Sequence, residues 1–194
     1  MPQISSTEFS ALPLRVHTFL TGIPLHDVWA VDLPRLREKI TLAEFQRLGQ
    51  GRSAGRLPAP ARALFRLRLF LGRVFRLEEP PTNADATSFA SRLTDEDRAR
   101  SSVEPGTADG LFRVVYRFDN EQLLEVHNRT AHAAALSALV ETPAGYRFYL
   151  AVYVERAGWF TRAYLALIDP FRKCIVYPAL LKSIRATWMK SDHP

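Results

Sequence analysis

Glu125, His127 and His132 are the residues whose types and spacing come nearest to catalysis in this chain. Glu125 and His127 stand two apart in "EQLLEVHN", a spacing that projects both to one face of a strand. His132 opens the next segment, across a turn at Asn128–Arg129. A carboxylate beside an imidazole can tune it as a general base. The same residues serve equally well as polar groups at a strand end. Two histidines and a glutamate also suit a metal, but the closer spacing of a recognised metal motif is missing. No metal and no cofactor are therefore expected.

A second set is aromatic. Tyr116, Tyr149, Tyr153, Tyr164 and Tyr177, with Phe171, offer rings and hydroxyls that line a cavity and orient the polar group of a ligand. The alternative is core or rim aromatics with satisfied hydroxyls. Asp169 and Arg172, three apart beside Pro170, form either a local ion pair or a brace for a proline kink. His26–Asp27 reads as a cap or turn before a strand. Gly-rich phosphate loops, G-x-S-x-G elbows and C-x-x-C pairs are missing from the sequence. Cys174 is the single cysteine, so no intrachain disulfide can form, and a reducing, cytoplasmic setting is expected.

The elements that must position these residues are legible in outline. Residues 1–24 read as an irregular leader, and residues 25–190 as a single domain. "HDVWAVDLP" alternates as a strand and is stopped by Pro34. Thr41 with Glu44 has the form of a capping box opening a short helix. Residues 58–75 carry apolar positions at helical spacing with arginines opposite, as in a helix packed on a sheet or lying on a membrane surface. Residues 78–110 are loop-rich, with a short helix capped by Thr94. Four strand-like runs then follow, joined by turn signals at Asp119–Asn120, Asn128–Arg129 and Pro143–Gly145, as in an antiparallel meander. The third run is rich in alanine, which leaves room for a helix or a ligand. In the fourth, Tyr146, Phe148, Leu150, Val152 and Val154 share one face, with Tyr149 and Tyr153 on the other.

The final segment repeats apolar residues at intervals of three and four, from Phe160 to Trp188. Pro170 and Pro178 interrupt it, and each predicts a bend or break. Asp169, Arg172 and Lys173 at the centre of its most apolar stretch argue against a membrane span. The composition is that of an ordinary globular chain, with 47% hydrophobic and 24% charged residues. The net charge of +6 favours anionic partners, yet the three tryptophans are dispersed and form no stacking platform, so nucleic acid is not an expected partner.

The order of elements is similar to the helix-grip fold, an α+β architecture of the START and polyketide-cyclase-like (SRPBCC) superfamily. The stretches "LHDVWAVDLP", "LFRLRLFLGRVF", "EVHNRTAHAAALSALVE" and "YLALIDPFRKCIVYPALL" resemble a bacterial family of unknown function placed in that superfamily. The resemblance implies a curved antiparallel sheet gripping a long, proline-kinked C-terminal helix around an apolar cavity. It implies no catalytic residues. Three functions remain open: a binding module for a small hydrophobic or amphipathic molecule; a cyclase, dehydratase or hydrolase using Glu125, His127 or a pocket tyrosine; and a peripheral membrane or protein-interaction module built on the arginine-rich helix.

Overall fold

The computed structural model describes residues 3–34, 40–53, 88–110, 112–127, 132–155, 166 and 169–190. It is α+β. Two short helices, α1 (Ser6–Ser10) and α2 (Val16–Phe19), precede strand β1 (Leu25–Pro34) and helix α3 (Leu42–Ser53). A single 3₁₀ turn (Phe89–Arg92) and helix α4 (Asp95–Arg100) lead into β2 (Ala108–Asp109), β3 (Phe112–Arg117), β4 (Glu121–His127), β5 (His132–Thr142) and β6 (Gly145–Glu155). A π-helical turn (Arg172–Val176) runs into the C-terminal helix α5 (Tyr177–Lys190). The predicted helix over 58–75 and the turn at Asn128–Arg129 lie outside the described residues.

The strands form one six-stranded antiparallel sheet in the order β1-β6-β5-β4-β3-β2. The meander expected from alternation is its centre. The hairpins turn at Asp119–Asn120 and at Pro143–Ala144, where Thr142 faces Gly145. β1 closes one edge by pairing with β6, Val31 opposite Phe148 and Leu33 opposite Tyr146. In β3 the simple alternation of the sequence fails. The register slips between Val114 and Tyr116, a bulge that places Val115 in the same buried cluster as Tyr116 and Phe118.

Both faces of the sheet are covered, which is why β1 reads as a nearly continuous buried run. On one face Val28, Ala30, Leu123, Ala134, Leu136, Ala138 and Ala151 pack against Phe9, Val16, Phe19 and Phe89. On the other, Trp29, Val31, Leu33 and Phe148 pack against Leu42 and Phe45 of α3 and against Tyr177, Leu181 and Trp188 of α5.

The irregular leader expected over residues 1–24 is corrected by this arrangement. α1 and α2 are too short to show helical periodicity, yet Phe9 and Val16 are fully buried. The polar anchors are strong. The backbone N–H groups of Arg15 and Val16 donate to Glu121 at 2.6 and 3.4 Å, and the Arg15 guanidinium grips Asp97 through two bonds of 2.9 and 2.8 Å. Two other local expectations are met. Thr41 and Glu44 bond reciprocally at the start of α3, and Thr94 caps α4 in a box with Asp97.

α5 lies along β1 and is pinned at both ends of that strand. Arg172, in the π turn before α5, reaches Asp27 at 3.2 Å, and the Trp188 indole N–H donates to the Pro34 carbonyl at 2.7 Å. Between the two prolines the helix loosens rather than continuing in regular α winding. The Tyr177 N–H reaches back five residues to the Arg172 carbonyl, and Pro178, the next residue, has no N–H to offer the preceding turn, so the regular ladder is interrupted at this point. Among the described residues, no helix is long and apolar enough to cross a membrane.

Candidate functional site

Glu125 and His132 do meet, 3.3 Å apart, and His132 also bonds Glu155 at 2.9 Å. Glu125 is 2% exposed and accepts from the Ser88 hydroxyl and from the Phe89 N–H at 2.8 Å. Burial pushes its carboxyl up, but bonds from His132, Ser88 and Phe89 outweigh that and hold it below the usual range. The Phe89 ring stacks on His132 at 3.7 Å, and the His127 ring also stacks on His132, at 4.1 Å. The group is thus a closed polar anchor for the 3₁₀ turn. It lies on the face covered by α1 and α2, opposite α5.

The predicted aromatic set is divided rather than gathered. Tyr116, Tyr149 and Tyr153 are buried on the face covered by α1 and α2. Tyr177 is buried on the α5 face, Phe171 is 44% exposed, and Tyr164 lies outside the described residues. They do not line one cavity. Alternation correctly separated Phe148 from Tyr149, but it carries no information about which helix covers which face.

On the α5 face there is a cleft of about 510 Å³. Its walls include Phe45 of α3, Leu124, Phe148 and Ile184 and Trp188 of α5. Its polar end is a bonded chain: Gln46 Nε2 and Arg117 Nε both donate to the Gln122 amide oxygen, at 3.0 and 2.9 Å, and Arg117 also pairs with Asp109 at 3.2 Å. Gln122 is 2% exposed, so this is a desolvated polar group at the end of a trough whose walls also carry Arg47, Ser183 and Thr187. Beside the cleft runs the small-residue strand. Ala135 and Ser137 of β5 face Leu124 and Gln122 and are only half-buried, because α5 packs over β1 and leaves this part of the sheet less covered. The sequence reading missed Gln46, Gln122 and Arg117, since amides and a strand arginine carry no motif.

A second polar cluster sits where the π turn meets β1. Arg172 donates to Asp169 at 2.9 Å, to Asp27 at 3.2 Å, and to the Tyr177 hydroxyl. His26 Nε2 lies 2.7 Å from Asp169. The Asp169–Arg172 pair was expected, but His26–Asp27 is no simple cap: a bulge between Leu25 and Asp27 turns both into the cluster. The Asp27 side chain is fully buried, and burial raises its pKa against the pull of Arg172. Burial likewise pushes the Tyr177 hydroxyl up to about 12. "LHDVWAV" and "DPFRKCIVYP", parts of two stretches that carried the family resemblance, therefore converge in space.

These features define a small α+β protein with a six-stranded antiparallel sheet, a C-terminal helix along its edge strand, and a cleft between them. The chain belongs to a family described as "Protein of unknown function (DUF2867)", which matches residues 19–179. No curated protein and no solved structure matches it.

Proposed function

We propose that this protein is a cytoplasmic ligand-binding module of helix-grip type, akin to the START-like superfamily, that holds a small hydrophobic or amphipathic molecule between sheet and α5. The observation that carries the reading is the cleft: about 510 Å³, with Phe45, Leu124, Phe148, Ile184 and Trp188 beside Arg47, Ser183 and Thr187 on its walls, and ending in the Gln46–Gln122–Arg117 chain. Ligand pockets have this size and combine apolar lining with placed polar groups, a mixture suited to an amphipathic molecule. The apolar walls take the tail of the ligand, and the amide and guanidinium groups take an oxygen-bearing head.

Anilinonaphthalene sulfonate is a suitable amphipathic probe. It should bind saturably with enhanced fluorescence, laurate should displace it, and laurate should raise the melting temperature. Thr187→Trp, which projects a large ring into the cleft, should abolish both effects while the protein stays folded. Absence of probe binding, no thermal shift with laurate, and a ligand-free native mass spectrum together sink the reading.

A further inference from the structure

We propose that His26, Asp27 and Asp169 form a binding site for a divalent transition-metal ion of the zinc type. A ligand nitrogen of His26 and a carboxylate oxygen from each aspartate all lie within 4.8 Å of one another. Ligands of an ion bound at ~2.1 Å stand about 3–4 Å apart, so the widest separation closes by roughly 1 Å while the 2.7 Å contact between His26 and Asp169 opens to admit the ion.

The bonding around the two carboxylates divides their oxygens into two pairs. Arg172 takes Asp27 Oδ2 at 3.2 Å and Asp169 Oδ1 at 2.9 Å. The remaining two are Asp27 Oδ1, which is buried and has no partner, and Asp169 Oδ2, which faces His26 Nε2 at 2.7 Å and Lys173 at 3.5 Å. An unpaired oxygen on a fully buried carboxylate is costly, and a bound cation removes that cost. Arg172 orients both carboxylates, through Asp169 Oδ1 and through Asp27 Oδ2, which also lies 3.9 Å from His26 Nε2. Tyr177 bonds Arg172 in turn and fixes the guanidinium.

The donor set decides the class of ion. One imidazole with two carboxylates suits zinc or a neighbouring first-row ion, whereas calcium and magnesium favour all-oxygen sets. Charge sets the affinity. Arg172 and Lys173 already balance the two aspartates, so the ion must displace a competitor. Lys173, whose side chain is 35% exposed, swings into solvent when the ion enters. Three protein ligands leave a coordination position for solvent or substrate, as in catalytic zinc sites. The cluster lies at the opposite end of the C-terminal helical segment from the cleft, roughly 18 Å along the axis, so its fate is independent of the ligand-binding proposal.

The test uses tag-free, EDTA-treated full-length protein titrated with cobalt(II) by visible absorption and with zinc by calorimetry. Wild type should bind one ion, with a d–d band indicating low coordination, and magnesium should not compete. His26→Gln and Asp27→Asn should each weaken binding by about tenfold or more. Lys173→Ala should tighten it several-fold, a result that a merely structural cluster does not produce. Should Asp27→Asn fail to fold, the more exposed His26→Gln decides alone. No stoichiometric binding to wild type, or binding unchanged in His26→Gln, overturns the proposal.

Discussion

Replacing Arg172 by Met tests how far the cluster at β1 depends on one guanidinium. The Asp27 side chain is fully buried, and its partners are Arg172 at 3.2 Å and the more distant His26 at 3.9 Å. Methionine keeps most of the volume of arginine but leaves that carboxylate without a hydrogen-bonded counterion. Breaking a buried pair in this way costs about 3–5 kcal/mol. For a chain of this size each kcal/mol moves the melting temperature by roughly 2–4 °C, so a fall of about 6–20 °C is expected. Urea denaturation with EDTA present measures the loss without interference from bound metal. The second arm removes the stranded charge. Arg172→Met with Asp27→Asn should recover about 1–3 kcal/mol of the deficit, because a neutral amide is less costly to bury than a carboxylate. A single-mutant loss below about 1 kcal/mol, or a double mutant less stable than Arg172→Met, would refute the claim that Arg172 neutralises Asp27.

Three further outcomes follow from other sites. Asp97 is held down to about 2 by the Arg15 guanidinium, against an ordinary value of 3.8; a depressed carboxylate stabilises the fold above its unfolded value and loses that contribution as pH falls toward 2. With discount for solvent around Arg15, about 1 kcal/mol should disappear across that window in acid titration, and Asp97→Asn should flatten the slope. Glu125→Gln should cost about 1.5–3 kcal/mol and speed amide exchange at Phe89, since the charged acceptor of the 3₁₀ turn is lost; unchanged exchange counts against the anchoring role. Cys174 is exposed, so it should react stoichiometrically with a thiol reagent in the folded state, and slow labelling that needs denaturant contradicts its placement.

The meander was readable because its signals are local. Alternation in "YRFYLAVYVE", the Asp119–Asn120 turn and the Thr41–Glu44 box each depend on neighbours a few residues away. The corrections came where distance or parity intervenes. Val115 joins Tyr116 only through a bulge set by the partner strand. The tyrosines divide between two faces because alternation assigns sides without naming what covers them. α2 is held by Glu121 and Asp97 and α1 by the Glu8–Arg147 pair, each more than eighty residues away in sequence, and their own few residues show no period. His26 and Asp169 are 143 residues apart, so no spacing rule could join them. The Asp169–Arg172 pair was visible because it spans one helical turn.

The two pins that hold the C-terminal helix to β1 act as a ruler. Arg172 and Trp188 are sixteen residues apart, which at ~1.5 Å each is about 24 Å of helix. Asp27 and Pro34 are seven residues apart, which at ~3.4 Å each is again about 24 Å of strand. The two rods are thus matched in length. One inserted residue between the pins advances the indole by ~1.5 Å and swings it by about 100°, away from the Pro34 carbonyl. Insertions and deletions within 173–187 therefore have to be compensated within 28–33, although the two stretches lie at opposite ends of the chain.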